Sequence, residues 1–218
     1  AHGCKRAAVT MVPEHLDATD RRRFEREVRV LREVHHPHVV PLLDLGWHGD
    51  SLFYVMEYVG PFTLEDVILA HPEGIPEEAR PWLFQRAIEI LEALQHLHGQ
   101  RLVHRDVKPA NILIRCPKGN PQEAQQLLEE NSNRALLADL GLVARADLHS
   151  ALTQSALGTP QYMAPERIES PLAIDERSDL WSVGILLYRG LTGRFPFPRL
   201  SDALSRKPAA PITGLTEP

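Results

Sequence analysis

The apolar pattern of the chain changes character at Gly60-Pro61, and that change sets the class of fold open to it. On the N-terminal side apolar residues come in short runs bounded by turn formers, the signature of strands. Residues 7–12 form one such run and end at Pro13; runs 39–45 and 51–59 form two more around the turn Trp47-His48-Gly49-Asp50. Between them Phe24, Val28, Leu31 and Val34 recur at spacings of four and three, which predicts one helix with Glu27 on its apolar face and Pro37 as its stop. On the C-terminal side the spacing turns helical. Leu83, Ala87, Ile90, Leu91, Leu94, Leu97 and His98 make a long stripe that Gly99 is expected to close as a C-cap. Residues 179–191 are apolar on nearly every face, as in a helix buried inside a lobe. The reading is an α+β, bilobal chain: a small antiparallel sheet with one helix over residues 1–60, and a mainly helical lobe over 61–218.

Two short apolar runs, 112–114 and 136–138, interrupt the helical lobe and predict a small hairpin. Their connection, 116–134, is long for a hairpin. It holds Pro117, Gly119 and Pro121 and then a helix-prone stretch, 122–130, and reads as an inserted, solvated surface excursion. The tail from Phe195 carries five prolines in 24 residues and is expected to be irregular. No internal repeat is present.

Length and composition narrow the function classes. With 218 residues, 43% hydrophobic and 24% charged, the chain can bury a core and is neither disordered nor fibrous. A net charge of −5 without a basic arm argues against nucleic acid as a partner. Cys4 and Cys116 stand far apart in no metal-ligand spacing, which suits a reducing compartment, so the cytoplasm is the expected location. The most apolar stretch, 180–191, is broken by Ser182, Gly184, Arg189 and Gly190 and is too short for a membrane span. Without an initiating Met or a leader, the chain is expected to be cut from something longer or processed. Of eleven histidines, His35, His36 and His38 flank Pro37 and read as a structural corner, and His96 and His98 sit where a helix dipole favours positive charge.

Chemistry concentrates in residues 103–113, where Asp106, Lys108 and Asn111 share one loop between apolar segments. An Asp with a Lys two positions on and an Asn five positions on can hold a hydroxyl, a phosphate and a divalent cation together. Hard cations take oxygen ligands, and phosphate takes a point positive charge. A second carboxylate, Asp139, ends the run 136–138 and is followed by Leu140-Gly141.

These residues, in this order, closely resemble the eukaryotic-like Ser/Thr protein kinase family. The resemblance rests on His104-Arg105-Asp106 with Lys108 and Asn111, then Asp139-Leu140-Gly141, then Gly158-Thr159-Pro160 leading to Ala164-Pro165-Glu166, then Asp179-Leu180-Trp181-Ser182-Val183-Gly184. It implies transfer of the γ-phosphoryl group of ATP to Ser or Thr hydroxyls of protein substrates, with Mg2+. Asp106 would accept or orient the hydroxyl proton, Lys108 would neutralise the moving phosphoryl group, and Asn111 and Asp139 would hold the metal. Met56 would gate the nucleotide pocket, the backbone of Glu57 and Val59 would face adenine, and Ala8 and Leu113 would sandwich the purine. Arg105 would meet a phosphate on the segment that holds Thr153, Ser155 and Thr159. Leu31, Leu42, His104 and Leu140 would form the family's stacked regulatory column, with Asp179 anchoring the catalytic loop from below.

Three departures accompany the resemblance. Where the family reads Val-Ala-Ile-Lys this chain reads Ala7-Ala8-Val9-Thr10, so the Lys that would pair with Glu27 and the phosphates is Thr10. Loss of one aimed charge costs about 3 to 4 kcal/mol, roughly 10² to 10³ in rate, and Lys5 or Arg6 is the candidate substitute. No Gly-rich phosphate loop precedes residue 10, and no Arg partner for Glu166 is recognisable after Pro196. A pseudokinase scaffold or nucleotide-binding module with lost or weak turnover is therefore the competing reading. The oligomeric state is left open.

Overall fold

The computed structural model describes residues 7–12, 30–48, 51–119, 121–139, 160–169, 175–205 and 207–212. Three strands, β1 (Ala7–Val12), β2 (Leu42–His48) and β3 (Ser51–Glu57), form an antiparallel sheet in the order β1-β3-β2. The register sets Ala8 across from Met56 and Thr10 across from Tyr54. β2 starts later than the apolar run 39–45 predicts and continues through Trp47 and His48, which pair with Leu52 and Ser51. The cause lies in a competing ladder. Val40 N–H donates to Leu137 O at 2.9 Å and Leu137 N–H donates to His38 O at 2.9 Å, so Val39 and Val40 are bound to the other hairpin and are lost to the sheet.

Two helices follow the sheet. The short helix α1 (Leu64–Leu69) begins with a capping box in which Thr63 N–H donates to Asp66 Oδ2 at 2.7 Å and Asp66 N–H donates to Thr63 Oγ1 at 3.3 Å. The long helix α2 (Arg80–Gly99) buries Leu83, Ala87, Ile90, Leu94 and Leu97 as its periodicity predicts. Leu91, one 100° step on from Ile90, is turned outward. Gly99 does not cap the helix: it lies in the last turn, Gln100 closes it at φ −96, and Arg101 takes the left-handed conformation at φ 60.

The predicted hairpin is present as β4 (Ile112–Arg115) and β5 (Arg134–Leu137), with Ile112 across from Leu137. Its connection is more than a solvated excursion. In place of an α-helix it holds a 3-10 segment, Ala124–Glu129, whose Leu127 is fully buried, and Asn133 Nδ2 donates to Leu127 O at 3.1 Å. Arg86 and Glu89, on the inner face of α2, fasten the same region. Glu89 accepts from Arg86 at 2.9 Å and from the backbone N–H of Ala135 at 2.7 Å, and Arg86 donates to Asn133 O. Both side chains are almost wholly buried, which a stripe of apolar residues does not reveal.

The last helices are α3 (Pro165–Glu169), α4 (Glu176–Thr192) and α5 (Leu200–Leu204). Asp175 caps α4 by accepting from Arg177 N–H at 2.9 Å. The helix crosses α2 closely at Gly190, where a Cβ would lie 2.8 Å from Leu83 Cδ2. Burial on α4 is one-sided and not all-round, because Leu180 is 48% exposed. The proline-rich stretch is anchored by its aromatic residues: Phe195 meets Tyr162 edge-on at 5.4 Å and Phe197 stacks on Trp181 at 5.6 Å. Among the described residues, no helix is long and apolar enough to cross a membrane.

Candidate active site

The loop between α2 and β4 is built around Asp106. Lys108 Nζ donates to Asp106 Oδ2 at 2.7 Å, and Asn111 Nδ2 donates to the same oxygen at 2.9 Å and to the Asp106 backbone carbonyl at 2.8 Å. Both side-chain bonds land on Oδ2. The Asp106 side chain is one-third exposed, so its remaining oxygen can meet a group arriving from solvent. Asn111, with its N–H groups directed at Asp106, keeps its Oδ1 as an acceptor.

This loop holds its shape through bonds from distant elements. Asp179 on α4, buried to 1% exposure, accepts the backbone N–H of His104 at 2.9 Å, the backbone N–H of Arg105 at 2.8 Å, and a bond from His98 Nε2 at 2.8 Å. Arg105 has φ 71, a left-handed conformation that costs a side-chain-bearing residue about 1 to 2 kcal/mol. The paired bonds to Asp179 offset that cost, and Arg167 Nη1 donates to the Arg105 carbonyl. His104 is a neutral imidazole with an assigned tautomer: Nδ1 accepts from Asp106 N–H at 3.2 Å, so Nε2 carries the proton and donates to Ala138 O at 3.0 Å. Burial pushes its pKa down, against the pull of the Asp179, Asp106 and Asp139 carboxylates.

Asp139 stands two residues past the end of β5 at φ 54. Ala138 N–H donates to Asn111 O at 2.8 Å, which brings the Asn111 and Asp139 segments side by side. Tyr54 of β3 donates from its hydroxyl to Asp139 Oδ1 at 2.6 Å. Two oxygen-bearing side chains thus stand side by side, one just before β4 and one just after β5, beside the Asp106 loop, a donor set suited to a hard divalent cation such as Mg2+.

An apolar cluster adjoins these groups. Met56, Val59 and Leu113 pack around Val40, Leu136 and Ala138 in one cluster, and Ala8 is the register partner of Met56. Glu57 N–H donates to Pro41 O at 3.0 Å, so that amide is not offered to a purine; its carboxylate pairs with Arg115 at 3.0 Å.

Of the residues singled out from sequence, the structure brings Arg105, Asp106, Lys108, Asn111 and Asp139 to one place and Met56, Val59 and Leu113 to another beside it. Leu31 and His104 are both buried and Leu42 packs against the same core. Lys5, Arg6, Glu27, Leu140, Thr153, Ser155 and Thr159, and the side chains of Ala8 and Thr10, lie outside the described residues. Glu166, for which sequence offers no partner, accepts from Ser178 Oγ at 3.0 Å. His36 stacks on His96 at 5.0 Å, and no group of three His, Cys, Asp or Glu among the described residues could hold a metal ion. Sequence reasoning missed Tyr54, Arg167 and Arg189. Arg189 interrupts an apolar stretch, and it binds both Glu65 oxygens, at 2.8 and 2.9 Å, and Tyr162 OH at 2.5 Å. A cation in a buried helix was the one available signal.

Residues 1–210 match the family described as protein kinase domain, and the chain belongs to that family. It is similar to serine/threonine-protein kinase pkn2 of Myxococcus xanthus, 38% identical over 187 residues that cover 84% of this chain and 20% of the relative. It is also similar to serine/threonine-protein kinase cds1 of Schizosaccharomyces pombe, 34% identical over 203 residues covering 89% of this chain and 40% of the relative. Among solved structures it resembles Rad53 residues 1–466 in complex with AMP-PNP, with a TM-score of 0.65 and 28% identity, over 92% of this chain and 45% of that one. The chain thus spans less than half the length of these relatives, and its bilobal α+β architecture is that of a protein kinase.

Proposed function

We propose that this chain is the phosphotransfer unit of a protein serine/threonine kinase, acting on ATP and protein hydroxyls. The observation that supports it best is the Asp106 constellation, with Lys108 and Asn111 both bonded to one carboxylate oxygen. In the reaction a Ser or Thr oxygen bonds to the γ-phosphorus, the bond to the bridging oxygen of the departing ADP breaks, and the hydroxyl proton goes to Asp106. Lys108 stands beside Asp106 to offset charge on the transferring group. Asn111 and Asp139 would hold Mg2+, which supplies charge neutralisation at the phosphates. Met56, Val59 and Leu113 give the adenine ring its apolar wall. Arg105 is the candidate receiver of a phosphate on Thr153, Ser155 or Thr159.

The test is phosphate transfer from labelled ATP and Mg2+ by the intact protein, to itself and to a basic protein substrate. Transfer is expected, and Asp106→Asn is expected to lower it by about 10² to 10⁴. Transfer that appears only in Thr10→Lys would overturn the reading in favour of a scaffold disabled at one position.

A further inference from the structure

Tyr54 lies on the central strand of the sheet and is 2% exposed. It crosses from β3 to the other lobe, where its hydroxyl donates to Asp139 Oδ1 at 2.6 Å across a separation of 85 residues. The residues opposite Tyr54 in the ladder are Thr10 on β1 and Leu45 on β2, neither of which carries a charge, so these register positions bring no cation toward Asp139. Asp139 itself has left the strand and adopted φ 54, a conformation that a residue with a side chain holds only when its surroundings impose it. A carboxylate offers about four lone-pair positions, so one hydroxyl bond on Oδ1 leaves Oδ2 and a second site on Oδ1 for a cation.

We propose that Tyr54 is a positioning residue for the metal site: its hydroxyl orients the Asp139 carboxylate toward the divalent cation that accompanies the nucleotide. The inference rests on the kinase reading above. It assigns to a central strand residue a task for which neither composition nor motif spacing marks it. An outer partner that fixes a ligating group commonly matters almost as much as the ligand itself, and its removal weakens metal binding by about 10- to 100-fold. The hydroxyl has a second consequence. Because Asp139 is held from the sheet, metal affinity in this protein is tied to the docking of β3 against the Asn111 and Asp139 segments, and loosening one loosens the other.

The experiment compares the intact protein with Tyr54→Phe, which keeps the ring and deletes the hydroxyl. Mn2+ binding to the complex with AMP-PNP is measured by electron paramagnetic resonance, and AMP-PNP binding without metal is measured by titration calorimetry in EDTA. The expected result is Mn2+ binding weakened about 10-fold, with metal-free AMP-PNP affinity unchanged. Unchanged Mn2+ affinity would overturn the proposal, and so would an equal loss of both affinities, which is what a merely structural role produces. If the unsubstituted protein binds AMP-PNP but no Mn2+ with it, the positioning role falls. If it binds neither, the kinase reading falls and takes the proposal with it.

Discussion

Asp179 Oδ2 accepts the backbone N–H of His104 at 2.9 Å, so a residue of α4 governs the geometry of a loop 75 positions earlier in the chain. Asp179 Oδ1 does the same for Arg105. The two bonds fix the direction in which the loop leaves α2 and therefore where Asp106 points. Asp179→Asn would face one of these backbone donors with another donor. The expected cost is about 2 to 3 kcal/mol of stability, read as a lower urea midpoint, together with a fall in turnover. An unchanged midpoint would refute the anchoring role.

The Arg86–Glu89 pair gives a prediction of non-additive losses for single and double changes. Both groups are buried and bonded to backbone at the start of β5. Removing one partner strands the other, so Arg86→Met or Glu89→Leu alone should destabilise by about 3 to 5 kcal/mol. The double substitution should cost less than the sum of the two single losses, although Asn133 O and Ala135 N–H lose their side-chain partners, and a double-mutant cycle in urea denaturation measures the difference. Additive losses would show that the pair does not act as a unit.

Gly193 ends α4 at φ 69, and a Cβ there would collide with the carbonyl of Pro72. Both the backbone conformation and the backbone contact oppose any side chain. Gly193→Ala should therefore cost at least about 2 kcal/mol, seen as a lower melting temperature. Gly99→Ala, in open space inside the last turn of α2, should instead leave the melting temperature level or raise it.

His104 makes stability depend on pH in a defined direction. Burial lowers its pKa in the folded protein below the ordinary value near 6.5, so below that value the unfolded chain binds a proton that the folded chain refuses. Its contribution is fully present above about pH 6.5 and is lost as the pH falls, by up to about 1.4 kcal/mol for each unit. Protonation would also put a hydrogen on Nδ1, which accepts from Asp106 N–H. Denaturation midpoints of the protein and of His104→Gln, followed from pH 7.5 to 5.5, should converge at the acid end. Parallel curves would contradict it.

Periodicity and motif spacing determined much of this protein without the structure. The helical stripe of α2, the two-part division of strand and helix, the hairpin of β4 and β5, and the grouping of Asp106, Lys108 and Asn111 are all local: each follows from residues within a turn or a loop of one another. The Asp106 group is legible because its three side chains lie in one loop, close enough in the chain to bond to one carboxylate. Tertiary structure decided everything that depends on long-range bonding. Val39 and Val40 have strand composition, yet they bond to Leu137 and not to β3. Arg86, Glu89 and Arg189 are charged residues inside apolar patterns, and the partners that make their burial tolerable come from other elements. Tyr54 reads as an ordinary strand residue until the sheet carries its hydroxyl to Asp139. Buried polar groups must find partners, and the sequence does not show which distant groups the fold will bring within 3 Å of them.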